Sequence, residues 1–170
     1  MCIIIDTNTL ASVLEPESVN HSEFKPVYDW IKNGKGVIVY GGTKYKKELG
    51  KYLPIFVELR KATKAIGVDD SKVDQKADEV STMIQHANFD DQHLIGLLIQ
   101  SQCKLICSLD SRAYPYFRHS LFFKPAANKP KIYRGSSNKD LLTDRNIAEI
   151  CKPCLPTTVA QKNKLSIFNR

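Results

Sequence analysis

The stretch Cys2-Ile3-Ile4-Ile5-Asp6-Thr7-Asn8-Thr9 decides the fold. Four apolar residues run without alternation and stop at a carboxylate. A run of this kind predicts a short strand buried on both faces, as in parallel sheets. Gly36-Val37-Ile38-Val39-Tyr40 predicts a second buried strand, and Leu105-Ile106-Cys107 a third that ends at Ser108-Leu109-Asp110. Lys131-Ile132-Tyr133 is a candidate fourth.

Helical patterns separate these runs. Phe24, Val27, Tyr28 and Ile31 follow the 0, 3, 4, 7 spacing of one apolar face, and Asn33-Gly34 closes that helix. Gly41-Gly42 turns the chain, and Thr43 is a good N-cap for a helix over Lys44–Lys51. Pro54 suits the first turn of a helix reaching about Lys64. Two more helical regions are expected over Asp70–His86 and Phe89–Gln102, and Asn138 is placed to cap a last helix ending near Ile150. Strands alternating with helices predict an α/β fold with a mainly parallel sheet. Residues 1–150 are expected to form a single domain, and 151–170, with two prolines and mixed polarity, an irregular tail.

The 170 residues suit one domain with a sizeable core. A composition 42% hydrophobic and 25% charged excludes a mostly disordered chain or a fibre. No apolar run approaches the ~20 residues of a membrane span. The opening residues lack a basic n-region, so they do not read as a secretion signal. Five unevenly spaced cysteines argue against a disulfide scaffold and for a reducing cytoplasm. The net charge of +7 is unevenly spread. Residues 1–110 carry 13 basic and 15 acidic side chains, whereas residues 111–170 carry 12 basic and 3 acidic. That asymmetry points to a polyanionic partner, most often nucleic acid. The bland alternative is a solvated basic face.

The carboxylates direct the chemistry. Asp6 and Asp110 follow strands directly, where parallel sheets present functional groups. Asp91 opens the apolar helix Gln92-His93-Leu94-Ile95-Gly96-Leu97, with Asp90 as its rival. Spacing favours Asp91, one turn before the apolar block and on its face. Glu48 sits on the helix after the second strand. Each acid has a plain structural alternative, a cap, a turn or a solvated position. Four carboxylates brought together repel and invite a cation, and all-oxygen donors suit Mg²⁺ or Mn²⁺. Such ions activate water and steady a phosphodiester under attack.

Ile5-Asp6-Thr7-Asn8, Glu48-Leu49, Asp91-Gln92-His93-Leu94-Ile95-Gly96-Leu97 and Ser108-Leu109-Asp110 together resemble, in order and spacing, the pattern of the PIN-domain nucleases. The resemblance covers about residues 2–118. It implies a three-layer α/β/α sandwich and metal-dependent hydrolysis of RNA, sometimes DNA, leaving a 5′ phosphate. It assigns Asp6, Glu48, Asp91 and Asp110 to catalysis and to Mg²⁺ or Mn²⁺, with Asn8 and Ser108 orienting them or the phosphate. Ser111-Arg112-Ala113-Tyr114 lacks a further carboxylate that some members carry, which leaves a second metal less supported than the first. The resemblance also implies a toxin or defence role, an antitoxin or regulatory partner, and a homodimer.

Arg112, Arg118 and Lys124 stand among aromatic residues in the basic third and are candidate substrate contacts, as is Lys44 beside Glu48. Phe117, Phe122 and Phe123 are equally suited to the core. Cys151-Lys152-Pro153-Cys154 has metal or redox spacing, but a lone pair of this kind is weak. Asp70, Asp74 and Asp78 read as a solvated acidic stripe, and His93 as a packed histidine. Two other functions compete with the nuclease: a non-catalytic nucleic-acid-binding module, and a phosphatase-like hydrolase with Asp6 as nucleophile. The second normally wants an acid two residues on, where this chain has Asn8.

Overall fold

In the computed structural model, which describes residues 1–165, the opening run forms β1 (Cys2–Ile5), wholly inaccessible to solvent. Each buried isoleucine there contributes about 1.5–3 kcal/mol of apolar burial. β1 is the centre of a five-stranded sheet. β2 (Val37–Gly41) and β4 (Leu105–Cys107) flank it, β3 (Ala65–Val68) lies beyond β2, and β5 (Lys131–Tyr133) beyond β4. Every pairing is parallel, with Ile3 opposite Ile38 and Ile5 opposite Cys107.

Parallel neighbours need crossovers. α1 (Leu10–Leu14) and α2 (His21–Asn33) link β1 to β2, and α3 (Thr43–Leu49) and α4 (Leu53–Lys61) link β2 to β3. α5 (Asp70–Met83) and α6 (Gln92–Ser101) return the chain to β4, and α7 (Tyr114–Phe117) precedes β5. The first two crossovers step one way along the sheet and the last two the other way. Right-handed connections then put the two helix sets on opposite faces. The result is the expected three-layer α/β/α sandwich with a parallel sheet. Strand order reverses between β1 and β4, and the carboxyl end of that reversal is where such sheets gather functional groups.

Four local differences from the sequence reading have physical reasons. β3 is an edge strand, largely half-buried and containing Gly67, so it lacks the continuous apolar signature of the inner strands. Thr43 is the first residue of α3 rather than its cap. The cap comes from α5: Asp70 Oδ1 accepts from Gly42 N–H at 2.9 Å, and Asp74 accepts from Thr43 N–H at 2.9 Å and from its hydroxyl at 2.6 Å. Asp70 and Asp74 therefore orient the helix that carries Glu48, and are not merely a solvated stripe. Gly42, at φ +89°, makes the turn into α3. Asn138 does not cap a long helix. Its side chain donates to Ile132 O at 2.9 Å and accepts from Arg134 N–H at 3.3 Å, latching the end of β5. Short 3₁₀ turns at Ser136–Leu141, Asp144–Asn146 and Glu149–Cys151 replace the expected helix.

The segment from Cys151 is more ordered than an irregular tail. Cys151, Cys154 and Thr157 are buried, and Thr157 Oγ1 donates to Ile31 O at 2.8 Å. A reciprocal cap between Thr158 and Gln161 starts α8 (Val159–Lys164). The buried Lys64 ammonium donates to Gly34 O at 3.0 Å and Leu155 O at 3.4 Å, and burial lowers its pKa to about 8. Residues 166–170 of the expected tail lie outside the described residues. No helix among the described residues is long and apolar enough to cross a membrane.

Gly96 brings α6 onto α5: a Cβ there would lie 2.8 Å from both Ala77 N and Val73 O. Both contacts are backbone, so Gly96→Ala is expected to lower stability by about 1–3 kcal/mol, read as a lower urea midpoint. Asp74→Ala removes the cap of α3 and is expected to cost about 1 kcal/mol in the same assay.

Candidate active site

Asp6 emerges from β1 into a site that is 4% exposed. Its N–H donates to Cys107 O at 2.8 Å, so β4 fixes its backbone. Ser108 Oγ donates to Asp6 Oδ2 at 2.7 Å, and Asn8 Nδ2 donates to the same oxygen at 2.9 Å. The loops after β1 and β4 are further laced together. Asn8 Oδ1 accepts from Leu109 N–H at 3.3 Å across them, and within the second loop Ser108 Oγ accepts from Asp110 N–H at 3.2 Å. Burial raises the Asp6 carboxyl pKa, while the bonds from Ser108 and Asn8 oppose it. Asn8 and Ser108 thus orient Asp6.

Asp91 occupies the N-cap position of α6 but makes no side-chain capping bond. Burial pushes its carboxyl up to about 7, with further repulsion from Asp6, Asp90 and Asp110 and relief from Lys44. Its rival Asp90 is exposed, and Asp90 O accepts from Lys44 Nζ at 2.7 Å. Asp110 is half-buried and held by a fork: Arg112 Nε lies 3.0 Å from Oδ1 and Nη2 2.7 Å from Oδ2. That guanidinium keeps the Asp110 carboxyl below the usual range. Arg112 is 73% exposed, so the pair is screened and readily opened.

Glu48 faces a different set of partners. Its Oε2 lies 3.1 Å from His93 Nε2 and accepts from Thr7 Oγ1 at 3.4 Å, and Lys44 Nζ is 3.9 Å from Oε1. Tyr45 OH donates to Ile5 O and clamps α3 to the end of β1. His93 is buried, which lowers its pKa, with Glu48 opposing the shift. A neutral His93 donates to Glu48 through Nε2, leaving a buried Nδ1 without a partner. This pairing was not legible in the sequence, because it depends on how α3 crosses α6.

The charges of Asp6 and Asp110 thus reach Asp91, while Glu48 is turned toward His93. Among the described residues, no three carboxylates, imidazoles or thiols converge as a metal-holding group. As donors, carboxylates are of the kind that Mg²⁺ or Mn²⁺ takes.

The basic candidates separate. Arg118 lines a cleft beside Tyr114, whereas Lys124 lines another hollow with Leu98, Phe122 and Lys104. Phe117, Phe122, Phe123 and Tyr133 are core. Tyr116 stacks on Phe89 at 4.3 Å. All five cysteines are free and buried; Cys2 and Cys103 lie 3.9 Å apart, sulfur to sulfur.

An acid whose folded pKa is raised gives stability that is full below its unfolded value, about 3.9, and lost as pH rises through about 7. Without metal, the wild-type chain is therefore expected to lose stability over that window more steeply than Asp91→Asn. The two should converge near pH 4, with the variant the more stable at pH 8, as read from urea midpoints. No protein-family model, no curated protein and no solved structure matches this chain.

Proposed function

We propose that the chain is a metal-dependent nuclease that hydrolyses phosphodiester bonds of RNA, with single-stranded DNA as a further substrate. One observation carries the reading. Three carboxylates from separate elements, Asp6, Asp91 and Asp110, lie at the carboxyl end of the sheet reversal, and burial, reinforced by the charges of Asp6, Asp90 and Asp110, pushes Asp91 to about 7. Such crowding costs stability unless a cation neutralises it. Asp6, Asp91 and Asp110 would hold Mg²⁺ or Mn²⁺, and Glu48 would join them by releasing His93. The bound ion would supply a water of lowered pKa and offset the charge of the phosphodiester.

The chain's own groups complete the arrangement. Ser108 and Asn8 hold Asp6 in place. Arg112 balances Asp110 until a cation takes over, and is then free for a substrate phosphate. Lys44 adds positive charge beside Asp90 and Glu48. The five unbridged cysteines suit a reducing cytoplasm. By the resemblance, an antitoxin-like protein would restrain the activity. A second reading, a non-catalytic nucleic-acid-binding module, draws support from the lack of three converging donors among the described residues and from the Arg112 fork on Asp110.

Single-stranded RNA incubated with Mn²⁺ tests the choice. The wild-type chain is expected to cut it, EDTA to stop the reaction, and Asp6→Asn and Asp91→Asn to abolish it while remaining folded. Equal cutting by wild type and Asp6→Asn, or none by wild type over a broad substrate panel, would overturn the nuclease reading. Arg112→Ala, by freeing both oxygens of Asp110, is expected to tighten Mn²⁺ binding in calorimetry while weakening RNA binding.

A further inference from the structure

A cleft of about 600 Å³ opens against β5 and meets the loop after β4 through Tyr114. Four cations line it: Arg118 after α7, Lys129 before β5, Lys131 in β5, and Arg134 just beyond that strand. Its walls contain no carboxylate, and among the described residues none of the four cations takes part in an ion pair. Like charges gathered without counter-charges repel, and a polyanion relieves that repulsion.

The cleft is more than a patch of charge. Ala126, Ala127 and Ile132 give it an apolar lining, and the half-buried Tyr114 ring stands in its wall with the Arg134 guanidinium 6.0 Å from the ring centre. An inorganic anion has no use for that ring or for the apolar lining, whereas a nucleotide uses all three features. A base stacks on the ring or lies on the apolar surface, and its phosphates meet the cations. A ring set in a cleft wall reaches an unpaired base more readily than one held in a duplex. Tyr114 also ties the cleft to the acids. Its hydroxyl donates to Ser108 O at 2.9 Å, and the Ser108 hydroxyl donates to Asp6.

We propose that this cleft binds the single-stranded stretch of nucleic acid adjoining the bond cut at the acidic site. Phosphates rest on Arg118, Lys129, Lys131 and Arg134, and one base rests against Tyr114. The assignment rests on the nuclease reading above and narrows it: the strand lies in the cleft along β5 and not in the hollow that holds Lys124.

The test is anisotropy of a labelled single-stranded RNA of about ten nucleotides with the whole chain in EDTA, over a salt series. Arg118→Ala/Lys131→Ala is expected to weaken binding about tenfold or more and to flatten the salt slope by roughly 1.4, at about 0.7 per lost phosphate contact. Lys61→Ala/Lys72→Ala, on α4 and α5, removes the same charge elsewhere and is expected to change neither. Tyr114→Phe keeps the ring and is expected to bind like wild type, whereas Tyr114→Ala binds more weakly. The cleft is overturned if wild type binds no oligonucleotide, or if the cleft and control pairs lose equally. It is also overturned if Arg118→Ala/Lys131→Ala binds and cuts like wild type, an outcome that leaves the nuclease reading standing. RNA held through the cleft yet uncut in Mn²⁺ supports the cleft and defeats the nuclease reading.

Discussion

The burial of β1 governs the molecule. Four side chains with no exposed surface lie between β2 and β4, and the residue that follows them is an acid. Apolar burial holds the strand in place, and covalent continuity then carries Asp6 into a poorly solvated position it would not choose. Its surroundings answer that cost with bonds from Ser108 and Asn8, both on the loops that the β1–β4 pairing brings side by side. The same pairing sets Asp110 near Asp6. The acidic site is thus a by-product of a hydrophobic decision made four residues earlier.

Each acid meets that electrostatic strain differently. Asp6 is satisfied by neutral donors, Asp110 by an exposed arginine, and Glu48 by a buried imidazole. Asp91 has none of these, and burial with the nearby acids displaces it toward the protonated form. The unevenness explains why the acids influence one another without closing around a point. The Arg112–Asp110 pair is screened by solvent, whereas the His93–Glu48 pair is largely shielded from it.

The fold was readable where burial is two-sided, because a continuous apolar run admits few alternatives. Cys2–Ile5, Val37–Tyr40 and Leu105–Cys107 are of that kind. Ala65-Ile66-Gly67-Val68 was not, since an edge position needs no such run. Polar residues were harder. The four-residue spacing of Asp70 and Asp74 places them on one helix face, but what that face meets, the first turn of α3, is a tertiary fact. Asn138 carries the chemistry of a cap and serves as a latch. In the site, strand order makes the nearness of Asp6 and Asp110 foreseeable, and the apolar phase of α6 separates the half-buried Asp91 from the exposed Asp90. The hold of His93 on Glu48 and the return of Arg112 onto Asp110 depend on side-chain directions that spacing does not encode.

The strand order also has a consequence in time. β1 is made first, yet one of its two neighbours, β4, is specified a hundred residues later, and β5 later still. During synthesis, Asp6 waits beside an empty lane until Leu105–Cys107 arrives, and the positively charged cleft waits for Lys131–Arg134. A ribosome-bound chain shorter than this has neither Asp110 beside Asp6 nor the basic cleft along β5. Topology thus delays both features until synthesis has passed the strands that complete them.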